Sequence, residues 1–136
     1  MTHLLNGTWI ANIEQSRRDP NHQFHSATMR FGVDGHRVTL AYGGINASGR
    51  QEHGSQTITA DGEHHAVPEA PDVTALSTLD VRGLTQTATK NGVEAGRSDY
   101  RVSDDGRSMT ATVSGTDAQG NRFEQVIVFE REATVV

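Results

Sequence analysis

The residues of this chain best suited to chemistry are histidines that share a strand face with a tyrosine and a glutamate. His25, Tyr42 and Glu52 form the main group. An imidazole beside a carboxylate and a phenol can act as a general base or help to hold a metal ion. The group therefore predicts a catalytic site for acid–base chemistry on a carbonyl or ester substrate, with His65 as a second candidate base.

Other interpretations of the same residues stay open. No His-x-His or His-Glu-x-x-His spacing occurs, so the sequence predicts no metal site. No Gly-x-Ser-x-Gly segment is present to support hydrolysis by a Ser-His-Asp triad. The histidines can equally be polar cavity and loop residues that share no site. The choice depends on the elements that position them.

Those elements are predicted to be strands joined by short turns. In the second half of the chain, apolar and polar residues alternate at period two, as at Met109, Ala111 and Val113. Asn91-Gly92 is typical of a type I′ hairpin turn, which needs positive φ at both central residues. The strands predicted there are Leu84–Lys90, Val93–Ser103, Ser108–Asp117 and Arg122–Arg131.

The first half of the chain continues the same antiparallel meander. Tight two-residue turns are predicted at Asp34-Gly35, which would pair Val33 with His36, and at Asp61-Gly62. The strands predicted there are Asn6–Ile13, His25–Val33, His36–Tyr42, Arg50–Ala60, Glu63–Val67 and Val73–Val81. About ten antiparallel strands with local connections predict an all-β, up-and-down barrel, because closure removes exposed sheet edges. Residues 1–136 are predicted to form this one domain.

Turn lengths distinguish the two ends of the predicted barrel. Alternate turns of a meander lie at the same end, so the tight turns mark a base. Most connections at the other end are longer, so that end is the predicted mouth; its connections are Glu14–Phe24, Gly43–Gly49, Pro68–Asp72, Asn91-Gly92 and Asp117–Asn121. Binding residues usually lie under long loops on a rigid scaffold. Trp9 is predicted to point inward and close the base.

Strand parity then predicts which side chains line the interior. His25, Tyr42 and Glu52 face inward and should be near neighbours beneath the longest loops. The apolar side chains would bury a ligand, while the polar ones would orient it. The predicted ligand-binding residues are Met29, Phe31, Leu40, Gln56, Ile58, His65, Tyr100, Val113, Phe123, Gln125 and Ile127.

Composition narrows the class of partner. The chain has 12 basic and 17 acidic residues, and its net charge of −5 argues against nucleic acid or an anionic membrane. The absence of cysteine excludes disulfides and thiol chemistry. Only 34% of the residues are hydrophobic, which indicates an interior partly filled by polar groups and water. No signal peptide is evident at the N-terminus, so a cytoplasmic location is the default expectation.

Short segments in the first and last predicted strands resemble the calycin superfamily, the lipocalins and fatty-acid-binding proteins. They are NGTW in the first strand and VIVFER in the last. The stretch from DGEHHAVPEAPD to the last strand is similar to small bacterial lipocalin-like proteins of mostly unassigned function. The resemblance implies a ligand-binding barrel. Two departures from fatty-acid-binding proteins disfavour a fatty acid as the ligand. Glu14–Phe24 is too short for the helical lid of those proteins. Ile127 and Phe129 stand at the positions of the Arg-x-Tyr pair with which those proteins bind the ligand carboxylate.

The sequence therefore predicts a protein that binds a small, mostly apolar ligand inside its barrel. The alternatives are a small barrel enzyme that uses His25 or His65 with Tyr42 or Glu52, and a haem protein that uses an inward histidine. The haem alternative follows from the resemblance, since some lidless calycin barrels bind haem. No cofactor is predicted, and the expected partner is a small molecule bound by a monomer or homodimer.

Overall fold

The computed structural model describes residues 3–17, 24–67, 70–116 and 120–132. Ten strands account for its regular structure, and no helix occurs in these ranges. Accordingly, no described segment is a helix that could cross a membrane. The strands are β1 (Gly7–Arg17), β2 (Ser26–Asp34), β3 (Arg37–Ile45), β4 (Gln51–Thr59), β5 (Asp61–Val67), β6 (Ala70–Asp80), β7 (Gly83–Lys90), β8 (Val93–Val102), β9 (Ser108–Thr116) and β10 (Arg122–Arg131).

All ten strands belong to one antiparallel sheet in the order β4-β3-β2-β1-β10-β9-β8-β7-β6-β5. The pairing of β1 with β10 joins the two halves of the chain, and the sheet curls into a nearly closed barrel. This confirms the predicted ten-stranded up-and-down architecture. Alternating side chains along each strand point into the barrel, as their period of two requires.

The barrel is incomplete between β4 and β5. These strands follow each other in the chain but lie at the two edges of the sheet. The predicted hairpin turn at Asp61-Gly62 is therefore wrong. Gly62 does have the expected positive φ, +77°, but it lies where the register of β5 against β6 shifts, between Asp61 and His64. A positive φ suits a β-bulge as well as a hairpin turn, so the dipeptide alone does not choose between them.

The hairpin between β2 and β3 also differs from its predicted register. Asp34 pairs with Arg37, and Val33 pairs with Val38 rather than with His36. The turn is therefore Gly35-His36, and Gly35 has a φ of +61°, typical of the first central position in a type II′ turn. A shift of two residues leaves the inward face of β3 unchanged, because side chains alternate at period two.

Three predicted mouth loops are shorter than expected. Strand β1 continues to Arg17, β3 includes Gly43–Ile45, and β6 begins at Ala70. Residues 18–23, 68–69 and 117–119, where parts of the predicted loops fall, lie outside the described residues. The loop between β3 and β4 is held by backbone hydrogen bonds between Asn46 and Arg50, and between Gly49 and Asn46.

The Asn91-Gly92 turn agrees with its prediction. Asn91 has a φ of +51° and Gly92 one of +81°. Replacement of Gly92 by valine should lower the free energy of unfolding by about 1–2 kcal/mol, the usual cost of a strained backbone. A Cβ there would meet no atom within 4 Å, so the backbone conformation alone accounts for the loss. Thermal unfolding should show a smaller loss for Gly92→Asn, since asparagine tolerates this φ; equal stability of the valine variant and the native protein would contradict this assignment.

Fully buried apolar residues fill the base of the barrel. Val38, Leu84, Val102 and Met109 flank the tight turns and are all buried. Phe31 on β2 and Tyr100 on β8 meet edge to face with ring centroids 5.4 Å apart. Because β2 and β8 lie four positions apart in a ten-stranded sheet that curls into a barrel, this contact spans the interior. It closes the barrel below the mouth.

Trp9 completes the closure of the base, as predicted. Its side chain is fully buried, and Nε1 donates a hydrogen bond to the Leu5 carbonyl oxygen at 2.9 Å. The Arg131 guanidinium lies over the indole, 4.1 Å from the ring centroid. The same guanidinium donates to the carbonyl oxygens of Asn6 and Leu4, at 2.6 and 2.7 Å. The N-terminal segment is thus fixed across the base.

Candidate functional site

An apolar cavity of about 260 Å³ occupies the mouth end of the barrel. We call it the mouth cavity. Strand β1 pairs with β2 only from Gly7 to Ile10, so the two strands separate towards the mouth. The lining residues come from the start of β2, the hairpin between β3 and β4, and β10: Phe24, Ser26, Ala27, Thr28, Met29, Tyr42, Gly43, Gly44, Ile45, Asn46, Glu52, Ile127 and Phe129.

Glu52 is the acidic group of this cavity, and Asn46 fixes its position. The Asn46 Oδ1 atom accepts hydrogen bonds from the backbone N–H groups of Ser48 and Arg50, each at 3.0 Å. This assigns the amide orientation, so Nδ2 is free to donate to Glu52 Oε1 at 2.9 Å. The loop between β3 and β4 therefore holds a carboxylate at the rim of an apolar cavity.

Tyr42 lies beside Glu52 on the same side of the cavity. It pairs with Met29 on β2 and with Gly54 on β4, and it is 48% exposed. Its ring covers the Gly54 backbone, where a Cβ would come within 2.6 Å of the Tyr42 Cζ atom. The glycine thus gives the aromatic ring room to lie along the inner wall.

A second cavity of about 460 Å³ lies inside the incomplete seam between β4 and β5. We call it the seam cavity. Its wall is more polar than that of the mouth cavity, and it includes Ser77, which is buried to 2% exposure. The lining residues are Ser55, Gln56, Thr57, Ile58, Thr59, His65, Ala66, Val67, Ala75, Ser77 and Gln86.

Asp61 and His65 form a hydrogen-bonded contact at the edge of the seam cavity. The His65 Nε2 atom lies 2.9 and 3.0 Å from the two Asp61 carboxylate oxygens. Donation from Nε2 to the carboxylate leaves Nδ1 as the basic nitrogen of a neutral imidazole. The hydrogen bond from His65, followed by the one from the Glu63 backbone N–H, holds the pKa of Asp61 below 3.8. This arrangement can accept a proton at His65.

Titration of Asp61 provides a direct test of this contact. Replacement of His65 by alanine should raise the Asp61 pKa towards its ordinary value, because the main cause of the lowering is lost. Side-chain NMR over a pH series would measure it, with His64→Ala as the matched control. In the native protein the contact stabilises the fold above pH 3.8, the ordinary pKa of the Asp61 carboxyl. This stabilisation is lost as the pH falls through the lowered pKa that Asp61 has in the folded protein. An Asp61 pKa equal in both variants would contradict the contact.

The structure separates the predicted catalytic group. Tyr42 and Glu52 line the mouth cavity together. His25 is exposed and lies outside the lining of both cavities; its backbone N–H donates to the Ile45 carbonyl oxygen at 2.8 Å. His65 lies at the other cavity. Among the residues that the structure describes, no histidine therefore joins Tyr42 and Glu52 in the lining of the mouth cavity.

The predicted ligand-binding residues divide among four regions. Met29 and Ile127 line the mouth cavity, whereas Gln56, Ile58 and His65 line the seam cavity. Phe31, Leu40 and Tyr100 belong to the buried base, where burial raises the pKa of the Tyr100 phenol. Val113, Phe123 and Gln125 lie on the β9–β10 wall, outside both linings.

Sequence reasoning missed three residues that shape the two cavities. Asp61 was expected in a turn, Asn46 in a loop without a role, and Phe24 in a polar connection. The cluster of Gly, Asn and Ser at residues 43–49 is a signal for the Asn46 turn, since asparagine side chains accept hydrogen bonds from nearby backbone N–H groups. Among the described residues, no three His, Cys, Asp or Glu side chains come together to hold a metal ion.

A larger depression, about 870 Å³, lies along the outer face of β2, β3 and β4. We call it the outer groove. Its side chains include Arg30, Thr39, Ala41 and Thr57, which alternate with the inward residues of these strands. It lies on the outside of the barrel, so the barrel wall would not enclose a ligand bound there. The two internal cavities are the better candidates.

The sequence matches no family model and no curated protein. Solved structures do match. The fluorescent protein UnaG superposes with a TM-score of 0.65 at 15% identity, over 94% of this chain and 97% of UnaG. The chain has a calycin-like fold. A mutant of the fatty acid transporter REP1-NXSQ gives a TM-score of 0.63 at 13% identity, over 94% of this chain and 98% of that one.

A bile acid-binding protein gives a similar result. The zebrafish ileal protein, complexed with cholic acid, has a TM-score of 0.61 at 10% identity and covers 95% of this calycin-like chain and 99% of its own. Identities this low show a shared fold. The chemistry of this calycin-like barrel must therefore come from its own lining, and its resemblance to small bacterial proteins stays a prediction.

Proposed function

We propose that this protein binds a small, mostly apolar molecule in the mouth cavity. The observation that carries the proposal is an apolar cavity open at one end of a barrel whose other end is sealed by Trp9 and the Phe31–Tyr100 contact. Burial of apolar surface against Met29 and Ile127 would supply affinity, at about 25 cal/mol per Å². A rigid barrel wall would keep the cost of ordering the site low.

The structural neighbours agree with this proposal. A fatty acid transporter and a bile acid-binding protein share the fold, and both are named for small amphipathic molecules. The sequence departure at Ile127 and Phe129 still argues against a carboxylate-headed ligand, because both side chains contribute apolar surface to the mouth cavity. The polar group of the ligand would lie at the rim, beside Tyr42 and Glu52.

Native mass spectrometry of the purified protein tests the proposal. The expected result is an adduct of a small organic molecule that is lost when the protein is denatured. If the protein purifies empty, titration with the neutral fluorophore N-phenyl-1-naphthylamine should give saturable binding with enhanced fluorescence. The absence of both an adduct and saturable binding would contradict the proposal.

The Asp61–His65 contact favours a second candidate function, acid–base catalysis at the seam cavity. His65 would act as a general base whose tautomer is set by Asp61. The substrate would be a carbonyl or ester compound, as for other positioned imidazoles. Hydrolysis of p-nitrophenyl acetate should then be lost in His65→Ala and kept in His64→Ala, since His64 pairs with Leu76 on the opposite face of β5. Equal rates in these two variants would count against catalysis.

A further inference from the structure

The charges that line the two cavities are of one sign when the histidine is neutral. Glu52 lines the mouth cavity, and Asp61 contacts His65 at the seam cavity. No Lys or Arg contributes to either lining among the described residues. Arg131 is held at the base, where its guanidinium lies over Trp9 and donates to three backbone carbonyl groups. An anionic ligand in the mouth cavity would therefore be repelled by the Glu52 carboxylate, and no Lys or Arg side chain in the described lining would offset that repulsion.

Glu52 is positioned but not neutralised. Its Oε1 atom accepts one hydrogen bond from the neutral Asn46 amide, at 2.9 Å. Within the described part of the chain, no Lys or Arg forms an ion pair with it. A carboxylate has several acceptor sites on its two oxygens, so this one hydrogen bond leaves capacity for a charged donor.

Tyr42 adds a second feature that suits a cation. Its partly exposed ring lies on the same wall, at the β3 position between Met29 and Gly54. A cation is attracted to the face of an aromatic ring and, more strongly, to a carboxylate. Deeper in the cavity the lining is apolar, with Met29, Ile127 and Phe129. The chain's net charge of −5 would also favour the approach of a cation.

We infer that the mouth cavity binds an alkyl or aryl ammonium compound, with the cationic nitrogen at Glu52 and Tyr42 and the apolar part along Met29, Ile127 and Phe129. The inference rests on the proposed function and specifies its ligand class. It distinguishes this barrel from one that grips a carboxylate with an inward arginine.

Three ligands of one chain length test the head group. Decylamine, decanol and decanoate would each compete with N-phenyl-1-naphthylamine at neutral pH, where the amine is protonated like a lysine side chain. Decylamine should displace the fluorophore at a concentration at least tenfold lower than decanoate, with decanol between them. Comparison at low and high salt should show that the preference weakens with salt, since the rim is exposed.

Charge-removing variants show which residue is responsible. Glu52→Gln should reduce the affinity ratio of decylamine to decanoate, both measured in the same variant, at least fivefold. The matched control, Glu94→Gln on the exposed surface of β8, should leave it unchanged. Tyr42→Leu gives a second, independent variant and should weaken decylamine more than decanol.

The outcomes separate this inference from the function on which it rests. Saturable fluorophore binding with decanoate equal to decylamine, or a preference unchanged in Glu52→Gln, would overturn the ammonium assignment alone. No fluorophore binding, together with no heat on titration of any of the three ligands, would overturn the apolar-ligand function as well.

Discussion

Replacement of Trp9 by alanine should lower the free energy of unfolding by about 3–5 kcal/mol, the usual cost of deleting a buried aromatic side chain. The indole is fully buried, donates to the Leu5 carbonyl oxygen and lies under the Arg131 guanidinium. Its loss would leave a void at the base and remove the surface against which Arg131 packs. Urea unfolding monitored by far-ultraviolet circular dichroism would measure the change.

The adjacent residue provides the control for this prediction. Ile10 follows Trp9 on β1 but faces outward and is 45% exposed. Ile10→Ala should therefore cost much less, of the order of 0.5–1 kcal/mol. Equal losses for the two variants would show that Trp9 does not close the base.

Filling the mouth cavity should abolish binding without unfolding the protein. Ala27 is a half-buried lining residue on β2, and a tryptophan at this position would occupy the space proposed for the ligand. The affinity for N-phenyl-1-naphthylamine should fall at least about tenfold, which corresponds to 1.4 kcal/mol. Fluorescence titration would measure it, with thermal unfolding to verify the fold.

A tryptophan on the outer face of the same strand is the matched control. Arg30 lies three residues further along β2 and lines the outer groove. Arg30→Trp should leave fluorophore affinity unchanged if the ligand binds inside the barrel. Loss of affinity in Arg30→Trp, with Ala27→Trp unaffected, would move the site to the outer groove.

Much of the fold could be predicted because the side chains of a strand point alternately into the barrel and out of it, so buried and exposed positions alternate along its sequence. Met109 and Ala111 are buried, and Phe129 pairs with Met109 across the β9–β10 ladder, as alternation requires. The seam between β4 and β5 could not be predicted. Asp61-Gly62 supplies a positive φ for a bulge or a hairpin alike, and only tertiary pairing selects between them.

The candidate site was predictable by face but not by depth. Parity places Phe31 and Tyr100 inward correctly, yet it contains no information about their distance from the mouth, and both fill the base. Tyr42 and Glu52 share a cavity because the β3–β4 register brings their strand ends together. His25 precedes β2, where strand alternation no longer controls the direction of a side chain.

Methyl NMR during titration with decanol tests most directly where this protein binds an apolar molecule. The signals of Met29 and Ile127 in the mouth cavity should shift progressively, while those of Val38 and Leu84 in the buried base should stay in place. Saturation of the shifts at one equivalent would indicate a single site. Shifts confined to Ala41 and Thr57 in the outer groove, with Met29 and Ile127 unchanged, would contradict binding inside the barrel.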